Sequence, residues 1–317
     1  MLGVLLCMIH AGDIFGQTSA QAGGFVEVGL DASIAGTGYA GAGSATGVRA
    51  LAFNVAGLAH ARSLELMLSH VDQLDQVAYD HLAVAVPFVR GTSVMGGAVS
   101  VSGDDAYTEW TAQLAYAHRI AWLTIGAGAR YRRATFGRNV LEPADLVVFD
   151  PDEIANGMAR KVWGDARGWG LDAGIAVDAH RDIRMSWTVR NIAAPVEWVA
   201  SSGLRERTSR TEHVPADMDV AISYTPADWF TFNAAWAPAM DGDVAARYGF
   251  GASIRPVGVL ELRAGRQLLH DGYRNESTTL GFGLRADDVW GVGLRLDYAW
   301  VSSDLAVSQL FTLVVSP

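Results

Sequence analysis

The feature that most constrains this chain is strict alternation without any long apolar run. From Leu123 to Arg132 one row is Leu123, Ile125, Ala127, Ala129 and Tyr131, and the other is Thr124, Gly126, Gly128, Arg130 and Arg132. Successive side chains of a β-strand point to opposite faces, so this segment has one apolar face and one small or polar face. The pattern recurs from residue 64 onward. Arg184, Ser186, Thr188 and Arg190 alternate with Met185, Trp187 and Val189, and Arg295 and Asp297 alternate with Leu294, Leu296 and Tyr298. Half of the 317 residues are hydrophobic and 18% are charged. A helical membrane span needs about 18 or more consecutive apolar residues. The body of the chain has no such run, so its hydrophobicity is carried by strands.

Alternation alone does not choose between a soluble sandwich, whose charges face water, and a membrane barrel, whose charges face the lumen. The connectors choose. Strands are expected near 64–71, 79–88, 93–102, 107–118, 122–136, 169–179, 183–191, 217–225, 229–236, 247–255, 259–268, 278–286, 291–300 and 308–316. The connectors "VRGT", "RIA", "HR", "PAD", "PVG" and "DDVWG" are short, whereas 137–168, 192–216, "APAMDGDVAA" and "LHDGYRNES" are long and polar. Short and long connectors alternate, as in up-and-down barrels with short turns on the periplasmic side. The expected fold class is all-β: a transmembrane antiparallel β-barrel of about 14 strands with a small N-terminal plug. Trp110, Trp122, Trp169, Trp229, Trp290 and Trp300 fall near expected strand ends, where aromatic rings sit at the lipid–water boundary. On this reading the wall contacts outer-membrane lipid. The residues expected to face the lumen are Arg130, Arg132, Asp172, Arg184, Arg190, Glu261, Arg263, Arg285, Arg295 and Asp297.

Residues 1–22 read as a cleaved export signal, with the apolar "MLGVLLCMI" and the small-x-small Ala20-Gln21-Ala22, although no basic residue precedes the apolar run. The lone cysteine, Cys7, lies in this leader, and Leu6 before it departs from a lipid-attachment pattern. Residues 63–317 are expected to form the barrel, and the small, glycine-rich residues 23–62 a plug within it. The stretch from Gly47 to Ala59 suits one or two helical turns. The plug positions singled out are Gly36, Gly38, Gly41, Gly43, Asn54, Ala56 and Gly57.

Gly36-Thr37-Gly38-Tyr39-Ala40-Gly41 matches the G-x-G-x-x-G dinucleotide fingerprint letter for letter. That fingerprint needs a strand before it, a full helix after it and a βαβ unit of about 30 residues. Successive strands follow instead, so no nucleotide and no other cofactor is expected. The net charge of −10 and the lack of a basic stripe exclude nucleic acid as a partner. G-x-S-x-G and H-E-x-x-H are absent, so no catalytic residue is assigned and an enzyme is not expected. Asp150-Pro151-Asp152-Glu153 and Asp241-Gly242-Asp243 lack regular ligand spacing, so no metal site is assigned.

The stretch "FVEVGLDASIAGTGYAGAGSATGVRALAFNVAGLA" resembles the N-terminal signature of the PorV/PorQ family, which groups with FadL-like outer-membrane barrels. Asn54-Val55-Ala56-Gly57-Leu58-Ala59 stands where that family carries an Asn-Pro-Ala-Gly-Leu-Ala-like block, with Val55 in place of proline. The segments "VPADMDVAISY", "LELRAGRQ", "TLGFGLRA", "LRLDYAW" and "SQLFTLVVSP" are also similar to the family. The final residue is Pro317 where bacterial barrels usually carry an aromatic, and Phe311 lies inside the last strand instead. The resemblance implies an accessory component of type IX-like protein secretion, whose partners are a secretion-system barrel or an exported cargo protein. Its FadL-like side implies the alternative of passive transport of hydrophobic small molecules.

Overall fold

Side chains alternate between the two faces of almost every strand, and the apolar row is the exposed one. In β1 (Glu65–Gln73), Leu66 and Leu68 are exposed while Met67, Ser69 and Val71 are buried. In a water-soluble sheet this assignment would be inverted. The computed structural model describes residues 25 and 29–317, apart from 74–76, 90–91, 105, 138–161, 203–204, 241–245, 271–275 and 305. The expected export signal and the Asp150 cluster lie outside the described residues.

The strands that follow are β2 (Val77–Val89), β3 (Ser93–Gly103), β4 (Tyr107–Ile120), β5 (Leu123–Phe136), β6 (Val162–His180) and β7 (Ile183–Ile192). Then come β8 (Pro195–Ser202), β9 (Arg205–His213), β10 (Asp217–Ala227), β11 (Phe230–Ala237), β12 (Ala246–Val257) and β13 (Leu260–His270). The last are β14 (Glu276–Val289), β15 (Val292–Ser303) and β16 (Val307–Ser316). Each barrel strand pairs antiparallel with its neighbours, β7 pairs directly with β10, and β1 closes onto β16 with Leu66 opposite Val315. Leaving out the β8–β9 hairpin, the result is a closed 14-strand barrel. Closure removes the unpaired edges that lipid could not satisfy.

The hairpin is the main departure from the sequence expectation, in which 192–216 is a long connector. β6 is 19 residues long and β7 only 10. Gly168 to Val162 of β6 pair with β8 rather than with β7. The register slips between Leu171 and Ala173 where β7 leaves. Asn191 (φ 59°) and Ala193 (φ 49°) take left-handed backbone there, which turns the chain into β8. Trp198 of β8 packs on Phe25 and Phe136, with centroids 6.2 and 5.9 Å away.

Strands are joined across only two or three residues at one end of the barrel: 90–92, 121–122, 181–182, 228–229, 258–259 and 290–291. This end faces the periplasm in bacterial barrels. At the other end 74–76, 104–106 and 304–306 are equally short, so the length asymmetry is carried by the middle of the chain. The apolar outer face includes Leu82, Val99, Leu114, Ile125, Leu262 and Leu280. An apolar surface this continuous marks contact with lipid or protein rather than water. Trp122, Trp229 and Trp290 are exposed beside short turns, where a girdle belongs.

The N-terminal segment lies inside the barrel, because it packs against strands on every side of it. It contains helix α1 (Ala32–Ala35) and 3-10 turns at Gly41–Gly43, Gly47–Ala52 and Val55–His60. The last two answer to the expected helical turns from Gly47 to Ala59. Val48, Leu51, Val55 and Leu58 bury against Met67, Val94 and the alanines Ala83, Ala85, Ala115 and Ala117 of the wall. Small inner side chains leave room for the segment. At Thr37–Gly38 the fit is backbone to backbone: a Cβ on Gly251 would lie 2.3 Å from the Thr37 oxygen, and one on Gly265 would lie 2.3 Å from the Gly38 nitrogen. Gly38 itself has φ 68°. Of the glycines that imitate a nucleotide fingerprint, Gly36 and Gly38 therefore serve close approach to the wall, and Gly41 makes room for Ile34 within the segment.

Candidate functional site

Asp31 and Arg49 are the only charged residues between positions 29 and 59, and the fold brings them together. The Asp31 side chain caps α1 by accepting from the Ser33 amide at 2.7 Å. Arg49 Nη1 donates to Asp31 Oδ1 at 2.6 Å and to Ser33 Oγ at 2.8 Å. Its Nη2 donates to Asp297 on β15. Burial alone would lower the Arg49 guanidinium, but Asp31 and Asp297 outweigh it and hold the group above its ordinary value. Asp297 continues the chain of charge into the wall. Arg295 Nε lies 3.1 Å from its Oδ2, and Arg263 Nη2 lies 2.7 Å from its Oδ1 without the alignment of a hydrogen bond. Arg263 Nε donates to Glu261 at 3.0 Å, and Arg295 and Arg255 reach the same carboxylate at 3.3 and 3.4 Å. Arg263 Nη1 is buried with no hydrogen-bond partner among the described residues.

Asn54 anchors the other end of the segment. Its Oδ1 accepts from the Ala56 amide at 3.0 Å, capping the turn, while its Nδ2 donates to the Ile175 carbonyl of β6 at 3.2 Å. Gly126 and Gly174 lie beneath it; a Cβ on Gly174 would meet Asn54 Oδ1 at 2.1 Å. His60 follows on the same turn. Arg184 Nη2 lies 3.1 Å from its Nε2, and the Gly57 carbonyl lies 3.3 Å from its Nδ1. This geometry suits a neutral ring protonated on Nδ1. Burial, then the Arg184 charge, lowers His60 to about 4.

The segment divides the lumen. On the side of the short turns is a cavity of about 680 Å³, floored by Ser33, Ile34, Thr37 and Ser44 and reaching the turn residues Arg181 and Asp182. On the other side a cavity of about 360 Å³ meets Tyr39, Ala52 and Phe53. It also meets Arg190, which bonds both Asp217 and Asp219, and Arg247, which bonds Asp217. Between the two stands one apolar layer: Ile34, Ala42, Ala45 and Phe53 pack on Ala221, with Tyr39 and Ala235 at the margin. Burial pushes the Tyr39 hydroxyl up to about 12, so it stays neutral there.

The charged residues singled out from sequence fall into five groups. Glu261, Arg263, Arg295 and Asp297 join the Arg49 network, and Arg184 joins His60. Arg190 lines the outer cavity. Asp172 accepts from Arg130 at 2.6 Å, from Gln113 at 2.9 Å and from the Asn191 amide at 3.1 Å, while Arg132 donates to the Asn191 side chain. This fourth group sits where β7 leaves β6. Arg285 stands apart: it is half exposed at the short-turn rim and bonds Asp287. Of the N-terminal glycines, Gly36 and Gly38 approach the wall, Gly41 and Gly57 approach Ile34 and Ala45 within the segment, and Gly43 approaches β10. Sequence reasoning did not single out Asp31, Arg49, Asp178 or Asn191.

No protein-family model and no curated protein matches the chain. Solved structures do. The monoaromatic hydrocarbon channel CymD aligns with TM-score 0.60 at 14% identity, over 92% of this chain and 98% of that one. The toluene transporter TbuX of Ralstonia pickettii aligns with TM-score 0.57 at 13% identity, over 90% and 97%. The toluene transporter TodX of Pseudomonas putida aligns with TM-score 0.57 at 12% identity, over 95% and 99%. At such identities the likeness is one of fold. The chain has the FadL-like fold, a 14-strand outer-membrane type of barrel with a short N-terminal helical segment.

Proposed function

We propose that the protein resides in the outer membrane and passes small hydrophobic molecules passively, with the N-terminal segment as the plug that gates the path. The observation that carries this reading is the single apolar layer of Ile34, Phe53 and Ala221 between two cavities. A layer one segment thick can open by a small shift of the segment without breaking the wall. Three solved structures of this fold are of a monoaromatic hydrocarbon channel and of toluene transporters, which supports the same reading. The apolar exterior supports the location. The test is uptake of labelled toluene by intact cells whose own hydrocarbon channels are deleted. Cells expressing the protein take it up faster than cells with an empty vector; equal rates count against the proposal.

The resemblance of the Asn54–Ala59 block to the PorV/PorQ signature supports a second reading, an accessory role in protein secretion. Docking of a secretion barrel or cargo favours an apolar outer patch. The described outer strand β9 instead exposes Arg207, Thr208, Ser209 and Arg210, so passage is the reading preferred here. Affinity purification from native membranes separates the two, since a secretion accessory brings a second barrel or an exported protein with it.

A further inference from the structure

The periplasmic cavity has a composition that gating of hydrocarbons does not need. Seven arginines line it against three carboxylates, Asp178, Asp182 and Glu261, in a chain whose net charge is −10. The shared acceptors are few. Asp178 takes Arg184 at 2.7 Å and Arg119 at 3.5 Å, and Glu261 takes Arg255, Arg263 and Arg295. Asp31 and Asp297 neutralise part of this charge from behind, yet neither lines the cavity. Each guanidinium carries five N–H donors and no acceptor. Donors therefore outnumber acceptors around the space, and Arg263 Nη1 is buried with no hydrogen-bond partner among the described residues. A surplus of fixed cationic donors around a cavity of about 680 Å³ is a site for an oxyanion. The volume lies within the range of about 300–1,000 Å³ of small-molecule sites, and Ile34 and Ile183 give it apolar surface beside the charge.

We propose that the periplasmic cavity binds a small molecule bearing an oxyanion, through Arg184, Arg255 and Arg295 with Arg263 behind them. Carboxylates and phosphate share this chemistry. Asp31 is the one described acid of the N-terminal segment, and Arg119, Arg184 and Arg255 pair with wall carboxylates instead, Arg184 also meeting His60. Arg119 and Arg255 are about one-third exposed on their side chains, so they are reachable from the periplasmic mouth. The inference stands apart from hydrocarbon passage, and either can fail alone.

The test is calorimetric titration of the full-length protein in a neutral detergent with sodium benzoate, with inorganic phosphate and with uncharged benzamide. Benzoate or phosphate binds and benzamide does not, and the one that binds identifies the oxyanion source. Raising the salt to 0.5 M weakens binding about tenfold, and Arg184→Gln and Arg255→Gln each weaken it about tenfold or more, as loss of a charge-assisted hydrogen bond requires. Heat-dependent gel mobility checks that each variant is folded. The two substitutions lie on different strands, so one reads out if the other misfolds. Absence of oxyanion binding by the unaltered protein overturns the proposal. So does equal binding of benzamide, or binding that both folded variants retain in full.

Discussion

Arg49 and Asp297 meet although 248 positions separate them, one on the N-terminal segment and the other on β15. Both are nearly or fully buried, with side-chain exposures of 9% and 0%. Breaking a buried ion pair by removing one partner costs about 3–5 kcal/mol, because the other charge stays buried and uncompensated. Arg49→Ala leaves Asp31 and Asp297 in that state. The expected outcome is a lower denaturant midpoint in detergent and faster proteolysis within the N-terminal segment, with the barrel's heat-dependent gel mobility retained. Arg49→Lys recovers less than the unaltered protein, since an ammonium cannot reach Asp31 and Asp297 as a fork does.

The crossing at Thr37–Gly38 makes a second expectation. Gly251 and Gly265 come so close to it that no Cβ fits without a shift. Gly251→Ala pushes the crossing off β12 and loosens the Ile34 layer next to it. Limited proteolysis reads this as accelerated cleavage of the N-terminal segment, while Gly258→Ala, at a turn with open space around it, leaves cleavage unchanged.

His60 gives a pH dependence with a definite sign. Its folded value, about 4, lies below the 6.5 of an ordinary imidazole. The folded protein therefore binds fewer protons on this ring than the unfolded chain between those limits. Stability from this source is complete above pH 6.5, declines as the pH falls toward 4 and levels off below. The total is up to about 3 kcal/mol. Unfolding midpoints at pH 7.5 and 4.5 measure it, and His60→Gln narrows the difference between them.

The barrel was legible because a lipid-facing wall forces a period of two on every strand, and Leu123–Arg132 displays it without interruption. The inner charges were legible for the same reason: Arg130, Arg184 and Glu261 sit on the row opposite leucine and isoleucine. The β8–β9 hairpin was not, since Arg207–Arg210 is polar on both faces and carries no apolar row to read. The departure of β7 depends on left-handed backbone at Asn191 and Ala193, and alanine gives no warning of that. Asp31 and Arg49 were missed because each is a single charge in a run of small residues. Two lone opposite charges in an otherwise uncharged buried segment are themselves the signal that pairs them.

The gate is the point on which the functional account turns. Ile34→Ala with Phe53→Ala removes the large buried side chains of the layer between the cavities, leaving Tyr39 at its margin and the Arg49 network and the Asn54 cap in place. The most direct measurement is toluene uptake by intact cells lacking their own hydrocarbon channels, comparing the unaltered protein with this double variant at equal outer-membrane abundance. The account predicts uptake above the empty-vector rate for the unaltered protein and a further increase of several-fold for the double variant. Uptake equal to the empty vector in both would contradict it.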